Sequence, residues 1–177
     1  MTVDARRQYH TGAMLEVVTI PADVLYKKAE PVPEIDDAVV ELADQMVDAM
    51  HAAKGIGLAG PQVGRSLRLF VVHLTDDEPR LFINPEIIGT SIETAKMEEG
   101  CLSIPGLYAD VVRPRAVEVQ AYNRRGRPFT LTAEGLLARV IQHELDHLNG
   151  VLFLDHLSQR KRDRLLKNYD PALFAEV

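Results

Sequence analysis

The sequence predicts an α+β fold, with antiparallel strands packed around a central, largely buried helix that carries an H-E-x-x-H motif. Three observations lead there. Apolar runs of strand length, separated by turn residues, fill the middle of the chain. Helical periodicity is confined to a few segments. The segment around "IQHELDHLNG" (141–150) is apolar over most of its circumference, as a buried helix must be.

The elements follow in order. Residues 1 to about 14 form a polar start. "LEVVTI" (15–20) suggests a short strand, stopped by Pro21, and "PVPEIDD" (31–37) is a loop. "DDAVVELADQMVDAMHAAKG" (36–55) is the first long helix: Asp36 or Asp37 caps it, and Val39, Leu42, Met46 and Met50 recur at helical steps. Gly55 stands where a C-cap glycine belongs. "GIGLAGPQVG" (55–64) is too rich in glycine for regular structure. "LRLFVVHL" (67–74) and "LFINPEII" (81–88) have the length and content of strands. "VVRPRAVEVQAYN" (111–123) alternates late, turns at "RRGRP", and returns as "FTLTAEG" (129–135) in an antiparallel hairpin. A second helix runs from about Glu134 to Leu148 and ends at Gly150, and a last, charged helix covers about 157–168. With no repeat, low-complexity tract or linker, residues 1–177 read as a single catalytic domain.

Composition narrows the function. A formal net charge of -6 argues against dedicated nucleic-acid binding. No apolar run approaches the roughly 20 residues a membrane helix needs, and the N-terminus lacks the apolar core of a signal peptide. The single cysteine, Cys101, excludes an intrachain disulfide and suits a reducing compartment. The expected location is the cytoplasm.

At about 100° per residue, His143 and His147 share one face of the second helix, with Leu136 and Val140 beside it. Leu137, Ile141, Leu145 and Leu148 cover the other side, and Arg139, Gln142 and Asp146 leave only a narrow polar strip. Two imidazoles four residues apart can hold one metal ion, and Glu144, next to them, is the natural base for a water on that ion. Two core histidines and a surface glutamate would give the same letters, but burying these groups without partners is costly.

A catalytic zinc or iron usually has a third protein ligand. The H-E-x-x-H-x-x-G-x-x-H pattern fails, because residue 153 is Phe. A glutamate about 20 residues downstream also fails, since the only later glutamate is Glu176. Asp163 is a poor substitute in a highly charged helix. Cys101 remains, in the turn-like "MEEGCLSIPG" (97–106), between acidic residues and a serine rather than in a core pattern. Thiolate plus two imidazoles suits zinc and also ferrous iron.

Three segments together resemble one family. "GIGLAGPQ" (55–62), "EGCLS" (99–103) and "QHELDH" (142–147) are similar, in order, to the three motifs of the peptide deformylases. Asn84-Pro85 and the "G-x-x-F" at 150–153 add to the resemblance, which spans about residues 17–157. It implies a hydrolase that removes the formyl group from the N-terminal formylmethionine of new polypeptides and releases formate. It implies Cys101, His143 and His147 as metal ligands. Fe2+ would be the native ion, with Zn2+, Ni2+ or Co2+ able to take the same site. Glu144 would be general base and then acid, with the Gln62 side chain and the Leu102 backbone N–H stabilising the oxyanion.

On the substrate side, Ile56 and Gly57 lie in a stretch able to pair with an extended peptide. Ile56, Leu136 and Val140 are expected to line an apolar pocket for methionine, with the stem of Arg139 at its rim, and Gly100 is counted with the substrate-binding residues. The family usually has alanine where this chain has Gly60. A buried pair between Glu99 and Arg113 would pin the cysteine turn. The basic stretch "SQRKRDRLLK" (158–167) offers a face for the ribosome, beside the expected partners, formylmethionyl peptides and nascent chains. The competing activity is a zinc endopeptidase on the same helix, which lacks both usual third ligands.

Overall fold

The computed structural model describes residues 13–170 and residue 172. The helices are α1 (Asp37–Ala52), α2 (Gly135–Leu148) and α3 (Gln159–Leu166). The strands are β1 (Gly57–Ala59), β2 (Leu69–Val72), β3 (Arg80–Thr90), β4 (Thr94–Cys101), β5 (Ile104–Pro114), β6 (Ala116–Tyr122) and β7 (Pro128–Glu134). They form a five-stranded antiparallel sheet, ordered β1-β2-β3-β6-β7, and a separate β4-β5 hairpin.

The side-chain period of two explains the layers. In β2, Phe70 and Val72 join the core under α2, whereas Leu69 and Val71 join the core under α1. Both faces are covered, so the sequence there is continuously apolar. In β6, Val117, Val119 and Ala121 point to α2 while Glu118 and Gln120 point outward, so the sequence alternates. The α2 helix contributes Ala138, Val140, Ile141 and Leu148 to that core. Its buried setting matches the expected central helix.

Several expectations are corrected. "GIGLAGPQVG" is regular in part, since Gly57–Ala59 pairs with β2 and Gly60–Val63 forms a 3-10 turn. "LEVVTI" forms no strand. Val18 N–H donates to Gln62 O at 2.8 Å and Ile20 N–H to Ser103 O at 2.9 Å. These bonds go to two different turns, so no ladder builds, but the segment fastens both turns together. Gly55 is not the left-handed residue after α1. Lys54 takes that conformation (φ 58°), and Gly55 N–H closes a Schellman motif onto Met50 O at 2.9 Å. Asp36 is the N-cap, its side chain accepting from Val39 N–H at 3.0 Å.

The strand β4 lies outside the strands read from the sequence, because exposed polar residues (Thr94, Lys96 and Glu98) break up its apolar content. The polar strip of α2 is not solvated: Arg139 and Gln142 are 6% and 7% exposed. They satisfy carbonyls of the hairpin, including Pro114 O from Gln142 Nε2 at 3.0 Å. The charged last helix is present as α3, capped by Ser158. Most of the polar N-terminal segment, residues 1–12, lies outside the described residues. No helix among the described residues is long and apolar enough to cross a membrane.

Candidate metal centre and active site

Helix α2 presents His143, Glu144 and His147 toward the end of β4, where Cys101 is the last strand residue before the two-residue link Leu102-Ser103. Ligand atoms of Cys101, His143 and His147 lie within 4.8 Å of one another, the only such cluster of three or more metal-binding side chains among the described residues. Cys101 Sγ is 3.3 Å from His147 Nε2. His143 Nδ1 donates to Glu99 Oε1 at 2.9 Å, which leaves Nε2 free to bind a metal.

The donor chemistry fits a divalent ion. A thiol and two imidazoles converge, and His147 Nδ1 and Glu144 Oε2 are buried without a hydrogen-bond partner. Burial drives the His147 pKa well below its ordinary value, so its ring is neutral, as a ligand must be. Burial also disfavours charge on His143, but the Cys101 and Glu99 contacts outweigh it and raise that pKa. Glu144 is 3% exposed, and burial pushes its pKa up to about 7. A carboxyl poised there can accept a proton and return it near neutral pH.

Glu99 is the anchor behind the ligands. Arg113 Nε and Nη2 donate to it at 2.7 and 2.9 Å, and Arg139 Nη1 donates at 2.7 Å. Burial alone would raise the Glu99 pKa, but His143 and the two guanidinium groups hold it well below the usual carboxylate range. Arg113 Nη1 also donates to Asp146 Oδ2 at 2.8 Å. The expected Glu99–Arg113 pair is therefore present, and it belongs to a larger network. A buried pair is weak evidence for net stability, but breaking it by removing one partner is strongly destabilising.

Gln62 is 1% exposed and sits in the 3-10 turn Gly60–Val63. Its Oε1 accepts from Ala59 N–H at 2.9 Å, which turns Nε2 toward Ser103 Oγ (3.1 Å) and Cys101 Sγ (3.5 Å). Gly60 has a physical reason. A Cβ there would stand 2.6 Å from Leu67 O and 2.8 Å from Arg65 O, so glycine suits the tight turn that holds Gln62. At Gly57 a Cβ would overlap the Glu144 carboxylate.

A cavity of about 490 Å3 opens over these groups. Ile56, Gly57, Gly100, Leu136 and Val140 line it, together with Gln62, Leu102, Cys101, His143 and Glu144. His147 lies beneath, 1% exposed. The sequence reading placed no role on Tyr108, whose ring covers Gly100 and also lines the cavity. It also missed Ser103, which helps aim Gln62; its place beside Cys101 in "EGCLS" was the available signal. Phe153, the residue that disqualified one protease pattern, is buried with its ring centroid 6.4 Å from that of His143.

A thiol and two imidazoles beside a proton-accepting glutamate and an amide donor define a class, the metal-dependent amide hydrolases. Comparisons with known proteins narrow it. A sequence model of the polypeptide deformylase family matches residues 14–163. A peptide deformylase of Azotobacter vinelandii is 49% identical over 160 residues, covering 89% of this chain and 95% of that protein. One from Borreliella burgdorferi is 46% identical, over 88% of this chain and 94% of that one. The crystal structure of the Ehrlichia chaffeensis peptide deformylase in complex with actinonin superposes with a TM-score of 0.87 at 37% identity, covering 94% of this chain and all of that one. The chain belongs to the polypeptide deformylase family. It is a metallohydrolase that removes the N-formyl group from newly made polypeptides.

Proposed function

We propose that Cys101, His143 and His147 hold one divalent ion, native Fe2+, and that Glu144 moves the protons of deformylation. The observation that carries this reading is the Glu144 carboxylate itself. It is buried, with one oxygen unpartnered, beside the converging thiol and imidazoles. A bound ion supplies Lewis-acid polarisation and lowers the pKa of a water. Glu144 takes the proton of the attacking water on a carboxylate oxygen and returns it to the leaving amine nitrogen, freeing formate and the peptide's N-terminus. Gln62 Nε2 and the Leu102 N–H donate to the oxygen on which charge develops. Gln62 has to exchange its Ser103 or Cys101 contact for that oxygen, and the Ala59 bond keeps its amide facing the right way.

On the substrate side, residues 56–58 pair with the extended peptide, and its methionine side chain enters the cavity between Ile56, Leu136 and Val140, beside Gly100. Residues 1–177 act as one catalytic domain, in the cytoplasm. Incubation with formyl-Met-Ala-Ser is expected to release formate and leave internal peptide bonds intact. Cleavage of internal bonds would restore the endopeptidase reading.

Iron as the native ion makes the centre sensitive to air, because Fe2+ and the thiolate are both oxidisable. The nickel form is expected to keep activity in air far longer than the iron form, measured as half-lives of formate release. Equal half-lives would count against iron with a thiolate ligand.

The charged helix α3 is proposed to face the ribosome. Leu165 and Leu166 dock against the core while Arg160, Lys161 and Arg164 are exposed. Charge reversal at Arg160, Arg162 and Arg164 is expected to weaken ribosome sedimentation at low salt and leave small-peptide turnover unchanged. Unaltered co-sedimentation would make the face a solvated surface only.

A further inference from the structure

A second cavity, of about 660 Å3, lies between β4, the β5–β6 link and the start of α2. Ala95, Met97, Arg115 and Gly135 are among its walls. Arg139 is the one described residue that lines both this cavity and the one over the metal ligands. Its side chain crosses from α2 to the hairpin, 6% exposed. There Nη1 donates to Glu99 Oε2 and to Val111 O, each at 2.7 Å, and Nη2 donates to Ala95 O at 2.7 Å. The guanidinium is thus pinned to both strands of the hairpin, and the stem forms a partition between two spaces.

We propose that Arg139 is a specificity-determining residue: its pinned side chain is the closed end of the methionine pocket and limits the size of the first side chain accepted. This rests on the 490 Å3 cavity being the site that takes methionine. A free arginine on the surface would swing aside for a larger side chain. This one would have to give up three buried hydrogen bonds, one of them charged at both ends, and such bonds are the strong kind. Methionine is slender and apolar, so it can lie along the arginine stem without displacing the head. A bulkier side chain needs the room beyond. Glu99 does not depend on this partition for its place, because Arg113 donates two bonds to it and His143 a third.

The test compares kcat/KM for formyl-Phe-Ala-Ser and formyl-Met-Ala-Ser in the metal-loaded wild type, R139A and R139M. Opening the partition in R139A is expected to raise the Phe/Met ratio by about tenfold or more, the size of discrimination that pocket volume controls. R139M removes the charge but refills the wall, so its ratio is expected to stay within about threefold of wild type. An unchanged ratio in R139A overturns the proposal, and so does an equal rise in both variants, since volume would then not be the cause. If R139A does not fold, R139V replaces it; its smaller side chain is expected to raise the ratio, and no rise overturns the idea. Failure of the wild type to deformylate formyl-Met-Ala-Ser would instead strike the assignment of the cavity.

Discussion

Glu144→Gln is expected to retain about one metal ion per chain and an unchanged fold, while formate release falls by about 10² or more. Glutamine has nearly the shape of glutamate but cannot take a proton and give it back. The site is built for that transfer. Burial raises the Glu144 pKa to about 7, so the carboxylate is a stronger base than one in water. Its Oε2 has no partner in the protein, and Gly57 opposite leaves the space that a side chain would fill. Metal content by elemental analysis and turnover by formate assay, on the same preparation, check the result. A variant that loses its metal would make Glu144 a ligand instead.

Cys101→Ala is expected to lose both metal and activity. Without Sγ, two imidazoles remain, and two ligands hold an ion weakly. The thiol also accepts from Gln62 Nε2 at 3.5 Å, so its removal loosens the amide proposed to donate to the reacting oxygen. Dialysis followed by elemental analysis reads the first effect, and formate release after adding excess metal reads the second. Retained metal in Cys101→Ala combined with lost metal in Glu144→Gln would reverse the two roles.

The helix that carries this chemistry was legible because its signal is local. His143 and His147 share a face at any helical geometry, and the apolar residues around them require burial. The three short motifs then brought Cys101 and Gln62 to the same site without any knowledge of the sheet. What stayed hidden depends on partners far away in the chain. In β4, Thr94 and Lys96 carry no strand signal and Glu98 falls in a turn-like stretch, yet they pair along β5 as far as Pro114. "LEVVTI" has strand composition, but its hydrogen bonds go to Gln62 and Ser103 on separate turns. Arg139 and Gln142 read only as part of a narrow polar strip, with no partner assigned to either head group. Here they face hairpin carbonyls, and only the folded chain shows those acceptors. Gly60 is similar: the carbonyls of Arg65 and Leu67 that demand it come from the residues that follow the turn.

An anomalous difference map at the iron edge, from crystals of protein prepared without oxygen, tests the central claim most directly. The account predicts one peak per chain between Cys101 Sγ, His143 Nε2 and His147 Nε2, within bonding distance of all three. A metal peak away from these three atoms, with none between them, would contradict it.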